Sequence, residues 1–306
     1  MTGNENKDFA SATMLRLVHA GLEMQGISID QPRSTTAHVP RGTKRDLLQS
    51  ILEAHGPMTV VSIAEAAESL APEPVVQALR NASSLADLLD RWQRLEKFSH
   101  ARHRVRMECA GPDKYHLTHE NKAGGPPPSP AESLLVVAVI TRLAELIGAK
   151  NVTLATKAGE MLRAGKTWSA LKSHRSLGTL VLTAKRQGDT DKMAPPQSNP
   201  DDLARLRDIV RTDPVRRWSL KDAAGLQRTS VRTLQRRLSH DGTSFSRLIS
   251  ETRLEVAAQY LCAPGGPDLS EIGYLSGYSD QAHFSRSFQK AVGLSPKRYR
   301  ADFQTR

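Results

Sequence analysis

The stretch that decides the fold is GYSDQAHFSRSFQKAVGLSPKRYR, residues 277–300. It holds Asp280, His283 and Ser285, the side-chain types of a hydrolytic triad, beside Arg286, Lys290, Lys297, Arg298 and Arg300. Helical geometry decides between the two chemistries. With Asp280 as N-cap and about 100° per residue, His283 and Ser285 point roughly 160° apart, so they cannot hydrogen-bond on one helix. Phe284, Phe288 and Ala291 gather on one face, which is expected to be buried. Ala282, His283, Arg286, Gln289 and Lys290 lie roughly opposite. The Asp280 carboxylate then has a different task, accepting hydrogen bonds from the free N–H groups at the helix start.

Working back along the chain, SVRTLQRRLSH (residues 230–240) repeats the pattern about fifty residues earlier. Ser230 matches Asp280, Leu234 matches Phe284, Arg236 matches Arg286 and Leu238 matches Phe288. Val231, Leu234 and Leu238 are expected on the buried face, with Arg232, Thr233, Arg236 and Ser239 opposite. A short apolar helix and a tight connection precede each copy. One basic helix face is an ordinary solvated surface. Two superposable ones, each behind its own short helix, point to a duplicated helix-turn-helix whose second helices enter major grooves. The residue types suit that task. Arg donates twice to guanine O6 and N7, Gln pairs with adenine N6 and N7, and Ser, Thr and helix N-termini suit phosphate oxygens.

Charge distribution agrees. The chain carries a formal net charge of +11. Residues 200–306 hold 18 Lys and Arg against 12 Asp and Glu, and residues 216–240 hold seven basic residues against the single acid Asp222. A polyanionic partner is implied. Composition alone does not choose between nucleic acid and a membrane surface, but a membrane span is not expected, because the longest apolar run, LLVVAVI at 134–140, is too short. The polar opening MTGNENKDFA contains no secretory apolar region. Cys109 and Cys262 are the only cysteines, so no disulfide framework is implied and a reducing cytoplasm is the expected compartment.

Two breaks organise the 306 residues: KAGGPPPSP at 122–130, and RQGDTDKMAPPQSNP at 186–200. The reading is a disordered tail over 1–9, an α+β domain over 10–185, a linker over 186–200 and an all-α domain over 201–306. In the first domain, helices are expected over 14–24, 41–55, 85–98 and 133–147, the last of them amphipathic. A hairpin is expected from 104–109 and 114–118, with further strands at 152–155 and 177–183. Cys109 is expected to face the core with Val105 and Met107. Trp92, at helical spacing with Leu88, Leu89 and Leu95, reads as core rather than a ligand box. LLVVAVI reads as core in preference to a dimer seam. After Pro200 helices are expected around Leu203–Val210, Leu220–Leu226, Ser230–Ser239, Phe245–Cys262, from Leu269, from Asp280 to before Gly293, and at Ser295–Pro296.

The segment Trp218–Arg300 resembles the DNA-binding domain of the AraC/XylS family of bacterial transcription regulators. The resemblance rests on Trp218, Leu220, Ala224, Ser230, Leu234, Arg236, Leu238, Gly242, Phe245, Arg253, Ala257 and Leu261, then on IGYLSGYSDQAHFSRSFQKAVGLSPKRYR at 272–300. It implies two helix-turn-helix units joined by the helix 245–262 and reading successive major grooves on one face of double-stranded DNA. Base reading would fall to Arg232, Gln235 and Arg236, then to Gln281, His283 and Arg286; Gln235 and Gln281 lie nearer the flank of their helices. Phosphate contact and positioning would fall to Ser230, Thr233, Arg237, Ser285, Lys290, Lys297 and Arg298, with Arg300 also toward phosphate or solvent. Gln227-Arg228-Thr229 departs from the family's apolar-Gly-apolar first turn, and Gly273 and Ser276 replace its usual Ala and apolar residue. The run SSLADLLDRWQRLEKFSHARHRVRM, 83–107, resembles the effector domain of a subgroup historically labelled arabinose-binding, a label that establishes no sugar ligand. Such domains sense a small molecule, self-associate, or both.

The function read here is thus a sequence-specific transcription regulator, an activator, with DNA, RNA polymerase, a small-molecule effector and a second copy of the chain as partners. Two alternatives are an enzyme carried by a DNA-targeting domain, such as a repair methyltransferase, and a nonspecific architectural DNA binder. The enzyme reading lacks a reactive cysteine in a recognisable setting, and no Walker loop, GxGxxG or GxSxG turn occurs. The architectural reading does not account for Gln and His beside Arg on both exposed flanks. His100, His103, His116 and His119 flank the hairpin and raise a metal or haem site. With no CxxC beside them, exposed or cross-strand histidines are the favoured reading, and no cofactor is expected.

Overall fold

A computed structural model of the chain describes residues 12–28, 43–70, 73–99, 103–122, 125–169, 171, 177–185 and 202–304. The expected tail over 1–9 and the linker over 186–200 lie outside the described residues. The chain divides into two compact units, residues 1–187 and 188–306, of which the first is α+β and the second helical.

In the first unit, α1 (Ala12–Met24) and α2 (Thr43–Ser62) are followed by a 3-10 turn at Ile63–Ala67, then α3 (Pro74–Arg80) and α4 (Leu85–Ser99). α2 is two helical segments: Gly56, at φ 80°, and Pro57 break it at the point where the sequence periodicity ends. A six-stranded antiparallel sheet is built from β1 (His103–Gly111), β2 (Lys114–Asn121), β3 (Lys150–Thr156), β4 (Met161–Ala164), β5 (Thr167–Trp168) and β6 (Thr179–Lys185), in the order β1-β2-β6-β3-β4-β5.

The core of this unit is α5 (Pro130–Leu146). Ser129 caps it in a reciprocal pair with Glu132, and every residue from Ala131 to Ala144 is buried. The expectation of an amphipathic helix is corrected here, because α5 meets helices α2, α3 and α4 on one side and strand β3 on the other. LLVVAVI is therefore core within this unit, and Trp92 is core as expected. Cys109 is the other correction. It shares a face with buried Val105, but it sits two residues from the turn at Gly111 and is exposed; Met107 between them is half-buried.

The second unit contains α6 (Asp202–Thr212), α7 (Leu220–Leu226), α8 (Val231–His240), α9 (Phe245–Cys262), α10 (Leu269–Leu275), α11 (Gln281–Val292) and α12 (Pro296–Phe303). Each helix from α7 to α12 starts on a side-chain cap: Ser219, Ser230, Ser244, Asp268, Asp280 and Ser295 each accept the N–H three residues on. Each cap is worth about 1 kcal/mol. α9 is the shared spine. Its Leu248 and Ile249 join Leu206 and Val210 of α6, Ala223 and Ala224 of α7, and Leu234 and Leu238 of α8 in one core. Further along, Val256, Ala257 and Leu261 are buried, and α9 also packs against α10 and α12.

Midway along α9, Arg253 donates from Nε to the Pro214 carbonyl at 3.1 Å and from Nη2 to the Arg216 carbonyl at 3.1 Å. Both carbonyls belong to the loop between α6 and α7. The turn after α10 comes against the same spot at Gly277, where a Cβ would lie 2.0 Å from the Pro214 oxygen and 2.7 Å from Arg253 Nε. Gly277 also sits at φ +79°, so two independent constraints exclude a side chain there.

Gly277→Ala is expected to cost more than Gly242→Ala, a site also at positive φ but with open space around its Cα. Strain alone predicts about 1–2 kcal/mol at Gly242. Equal losses in urea unfolding would show that the contact with Pro214 is immaterial.

In the first unit, burial pushes the His119 imidazole down to about 3, and its Nδ1 lies 3.1 Å from the Ser133 hydroxyl. A folded-state value below the unfolded 6.5 contributes stability above pH 6.5, which is lost as pH falls toward 3. Burial pushes Glu96 the opposite way, up to about 7, but Glu96 is common to both proteins compared below. Relative to wild type, His119→Gln should therefore gain roughly 2 kcal/mol in unfolding free energy between pH 7 and pH 5. Parallel pH profiles for the two proteins would contradict this.

Candidate nucleic-acid interface

α8 and α11 are the second helices of two helix-turn-helix units, α7–α8 and α10–α11. The two turns close with the same bonds: Arg228 N–H to Gly225 O and Thr229 N–H to Ala224 O in the first, Gly277 N–H to Tyr274 O and Tyr278 N–H to Gly273 O in the second. Arg228, at φ +49°, takes the left-handed place that Gly277 takes in the second unit. The unusual first turn thus keeps the usual backbone path, with a non-glycine residue holding it.

α8 anchors through Leu234 and Leu238 and carries no acidic residue. Arg232, Gln235, Arg236 and Arg237 are exposed, as is Ser230, whose Oγ accepts the Thr233 N–H at 3.1 Å and lies 2.8 Å from the Thr233 hydroxyl. Val231 was expected to be buried and is 38% exposed, because the first residue of the helix projects beyond the core beneath Leu234.

α11 anchors through an aromatic row. Tyr278, Phe284, Phe288, Tyr299 and Phe303 follow one another at centroid distances of 5.2, 5.9, 5.2 and 4.7 Å. Burial pushes the Tyr278 phenol up to about 12 against the opposing charge of Arg253. Ala291 was expected on this buried face but is exposed, since it lies in the last turn, just before the Gly293 cap. His283, Arg286 and Lys290 are exposed, and Gln281 and Ser285 are half-buried. Asp280 Oδ1 accepts the His283 N–H at 2.7 Å, the main cause holding its carboxyl below the usual carboxylate range.

The acids near these helices are committed elsewhere. On α9, Glu251 is engaged by Arg247 and by Arg207 of α6, and Glu255 by Arg211 of α6. Among the described residues, no carboxylate pairs with Arg232, Arg236 or Arg286. Lys297 is exposed at the start of α12. Arg298 is exposed but pairs with Asp302 at 2.7 Å, so a phosphate contact there would replace an existing ion pair. Arg300 is corrected: it is turned inward and donates to the Pro267 carbonyl, tying α12 to the loop before α10.

The hairpin histidines do not gather into a ligand set. A three-residue spacing on a strand places His116 and His119 on opposite faces. His116 faces Glu108 across the ladder, whereas His119 meets His103 edge-on at 5.8 Å, and His103 Nδ1 lies 3.7 Å from Glu132. His100 lies outside the described residues. Among the described residues, no group of three or more His, Cys, Asp or Glu could hold a metal ion, and no helix is long and apolar enough to cross a membrane.

Residues 224–302 match a family model described as a helix-turn-helix domain. The chain is 33% identical over 150 residues to the HTH-type transcriptional regulator VirS of Mycobacterium tuberculosis, covering 47% of this chain and 44% of that protein. It is 37% identical over 98 residues to the ornithine utilization regulator of Pseudomonas aeruginosa, covering 32% and 29%. The chain thus spans less than half the length of these curated relatives. The C-terminal domain of AraT, a response regulator from Geobacillus stearothermophilus, is 28% identical over 36% of this chain and 92% of that one, with a TM-score of 0.31. The C-terminal unit carries an AraC-type helix-turn-helix domain, and its curated relatives are transcription regulators.

Arg228→Gly should stabilise the second unit by about 0.5–1 kcal/mol, the left-handed strain removed less the backbone entropy of glycine. Thermal unfolding checks it; a lower midpoint would contradict the strained-turn account.

Proposed function

We propose that this protein is a sequence-specific, DNA-binding transcription regulator of the AraC/XylS type, acting as an activator. The observation that carries the proposal is the pair of capped helices, α8 and α11, joined through one spine helix and presenting exposed arginines, Arg232 and Arg236 on one and Arg286 on the other, that form no ion pair among the described residues. α9 has 18 residues, about 27 Å of helix, with the first unit packed on Leu248 and Ile249 near its start and α10 and α12 also packed against it. Arg232, Gln235 and Arg236 read bases in one groove, and Gln281, His283 and Arg286 in the next. Ser230, Thr233, Arg237, Ser285, Lys290, Lys297 and Arg298 position the helices on phosphates. Residues 10–185 act as the effector-sensing or self-association domain, 186–200 as a linker and 201–306 as the DNA-binding domain. RNA polymerase is the protein partner in a cytoplasmic setting. The favoured reading has no catalytic role, in keeping with relatives named as regulators.

Selection of full-length protein on random oligonucleotides should return a defined site. Arg236→Ala and Arg286→Ala should each cost about 1–3 kcal/mol and relax preference at one base pair. Lys297→Ala should weaken all sequences alike and reduce the salt dependence by about one unit. Binding that is indifferent to sequence in the unmodified protein would sink the proposal and favour an architectural role.

A further inference from the structure

We propose that Ser279 fixes the tautomer of His283, so that the ring offers a bare Nε2 as a hydrogen-bond acceptor and selects adenine or cytosine. This rests on the DNA-reading function above, which places His283 at a base.

The inference begins with a one-residue difference between the turns. The bonds Thr229 to Ala224 and Tyr278 to Gly273 correspond at a spacing of 49, yet the caps Ser230 and Asp280 correspond at 50. The second turn therefore contains one extra residue before its cap, and that residue is Ser279. Its Oγ lies 3.0 Å from Asp280 Oδ2 and 3.1 Å from His283 Nδ1.

A hydroxyl has one proton to donate, and a carboxylate can only accept. A hydrogen bond to a carboxylate is charge-assisted and about twice as strong as one between neutral groups. The Ser279 proton therefore goes to Asp280, leaving only lone pairs toward Nδ1. Nδ1 must then carry the imidazole proton, and in the neutral ring Nε2 is left without one. The Tyr278 ring stands edge-on to His283 at 5.3 Å and limits its rotation. The charged groups beside the ring are Asp280 at the cap and Arg286 one turn on. Among the described residues Nε2 meets no partner, and the side chain is exposed. The first unit has no counterpart: Thr233 stands at the matching place and turns its hydroxyl to Ser230 at 2.8 Å.

In the major groove an acceptor is satisfied only by the exocyclic amino groups of adenine N6 and cytosine N4. Guanine presents N7 and O6, and thymine O4 and a methyl group, so lone pair would face lone pair. Arg286 beside it is a pure donor with the reverse preference. The pair would thus read neighbouring bases of opposite polarity.

The test uses the full chain. Imidazole nitrogen shifts at pH 8, with the His283 signals identified by their loss in His283→Gln, should show the Nδ1–H tautomer in the unmodified protein. They should show its loss in Ser279→Ala and its return in Ser279→Thr. In random-oligonucleotide selection, one position should show a preference of about tenfold, and replacing its adenine by purine or its cytosine by 2-pyrimidinone, which removes the exocyclic amino group, should abolish it. Ser279→Ala should abolish that preference, Ser279→Thr should retain it, and the pairs that depend on Arg236 and Arg286 should stay unchanged. An Nε2–H tautomer in the unmodified protein, binding that is indifferent to removal of that amino group, or an unaltered selection in Ser279→Ala would overturn the proposal. An Nδ1–H tautomer with no sequence preference anywhere would support the hold of Ser279 on the ring while overturning DNA reading itself.

Discussion

The Pro214 carbonyl oxygen receives the guanidinium of Arg253 and lies against the bare Cα of Gly277, and this junction ties the segments that lead into α8 and α11 to the helix between them. Pro214 belongs to the lead-in of the first helix-turn-helix, Gly277 to the turn of the second, and Arg253 to the spine helix between them. One contact therefore couples three segments that are far apart in sequence. Without it, each recognition helix would still be capped and packed, and the shared helix α9 alone would set their relation. A protein that reads two grooves needs that relation held, because a displacement between helices is paid in strain on the duplex or in lost base contacts.

Around this junction the two units reach one geometry by different chemistry. The first packs aliphatic residues of α6, α7, α8 and α9 into a shared core, and its turn is held by Arg228 in a conformation ordinarily left to glycine. The second stacks aromatic rings from Tyr278 to Phe303 and uses glycine where backbones meet. Their exposed faces differ accordingly. α8 presents three arginines and a glutamine, whereas α11 mixes arginine with a histidine whose ring is oriented by its own turn. Two such unlike faces on one rigid spine suit an asymmetric site better than a repeated one.

Much of the helical unit was legible because its signals are local. Ser or Asp caps, apolar residues at helical spacing and the Gly293 stop place every helix from Leu220 onward within a few residues, and they separate His283 from Ser285 without any tertiary knowledge. Helix ends were less legible. Val231 and Ala291 lie on the apolar side of an ideal helical wheel, but neither is in the middle turns where the core reaches. In the α+β unit, the chain from Pro57 to Arg80 escaped because the Gly56-Pro57 break resets the period, and β4 and β5 are too short to establish alternation. In the sequence, Thr141, Arg142 and Glu145 interrupt the apolar run of α5 and give it an amphipathic pattern. Arg142 is in fact buried and paired with Glu65, Glu68 and Glu145, which no spacing rule foretells. The inward turn of Arg300 and the Pro214–Gly277 contact are long-range facts of the same kind. The hydrogen bonds of Ser279 are local, yet the extra residue emerges only when the two turns are superposed through their backbone bonds.

The central claim is that α8 and α11 enter successive major grooves as one rigid pair, and the most direct measurement is a methylation-interference footprint on a selected site. The account predicts two clusters of guanine N7 interference on one face of the duplex, about 10 base pairs apart, the first sensitive to Arg236 and the second to Arg286. A single cluster, or two whose spacing varies freely from site to site, would contradict it.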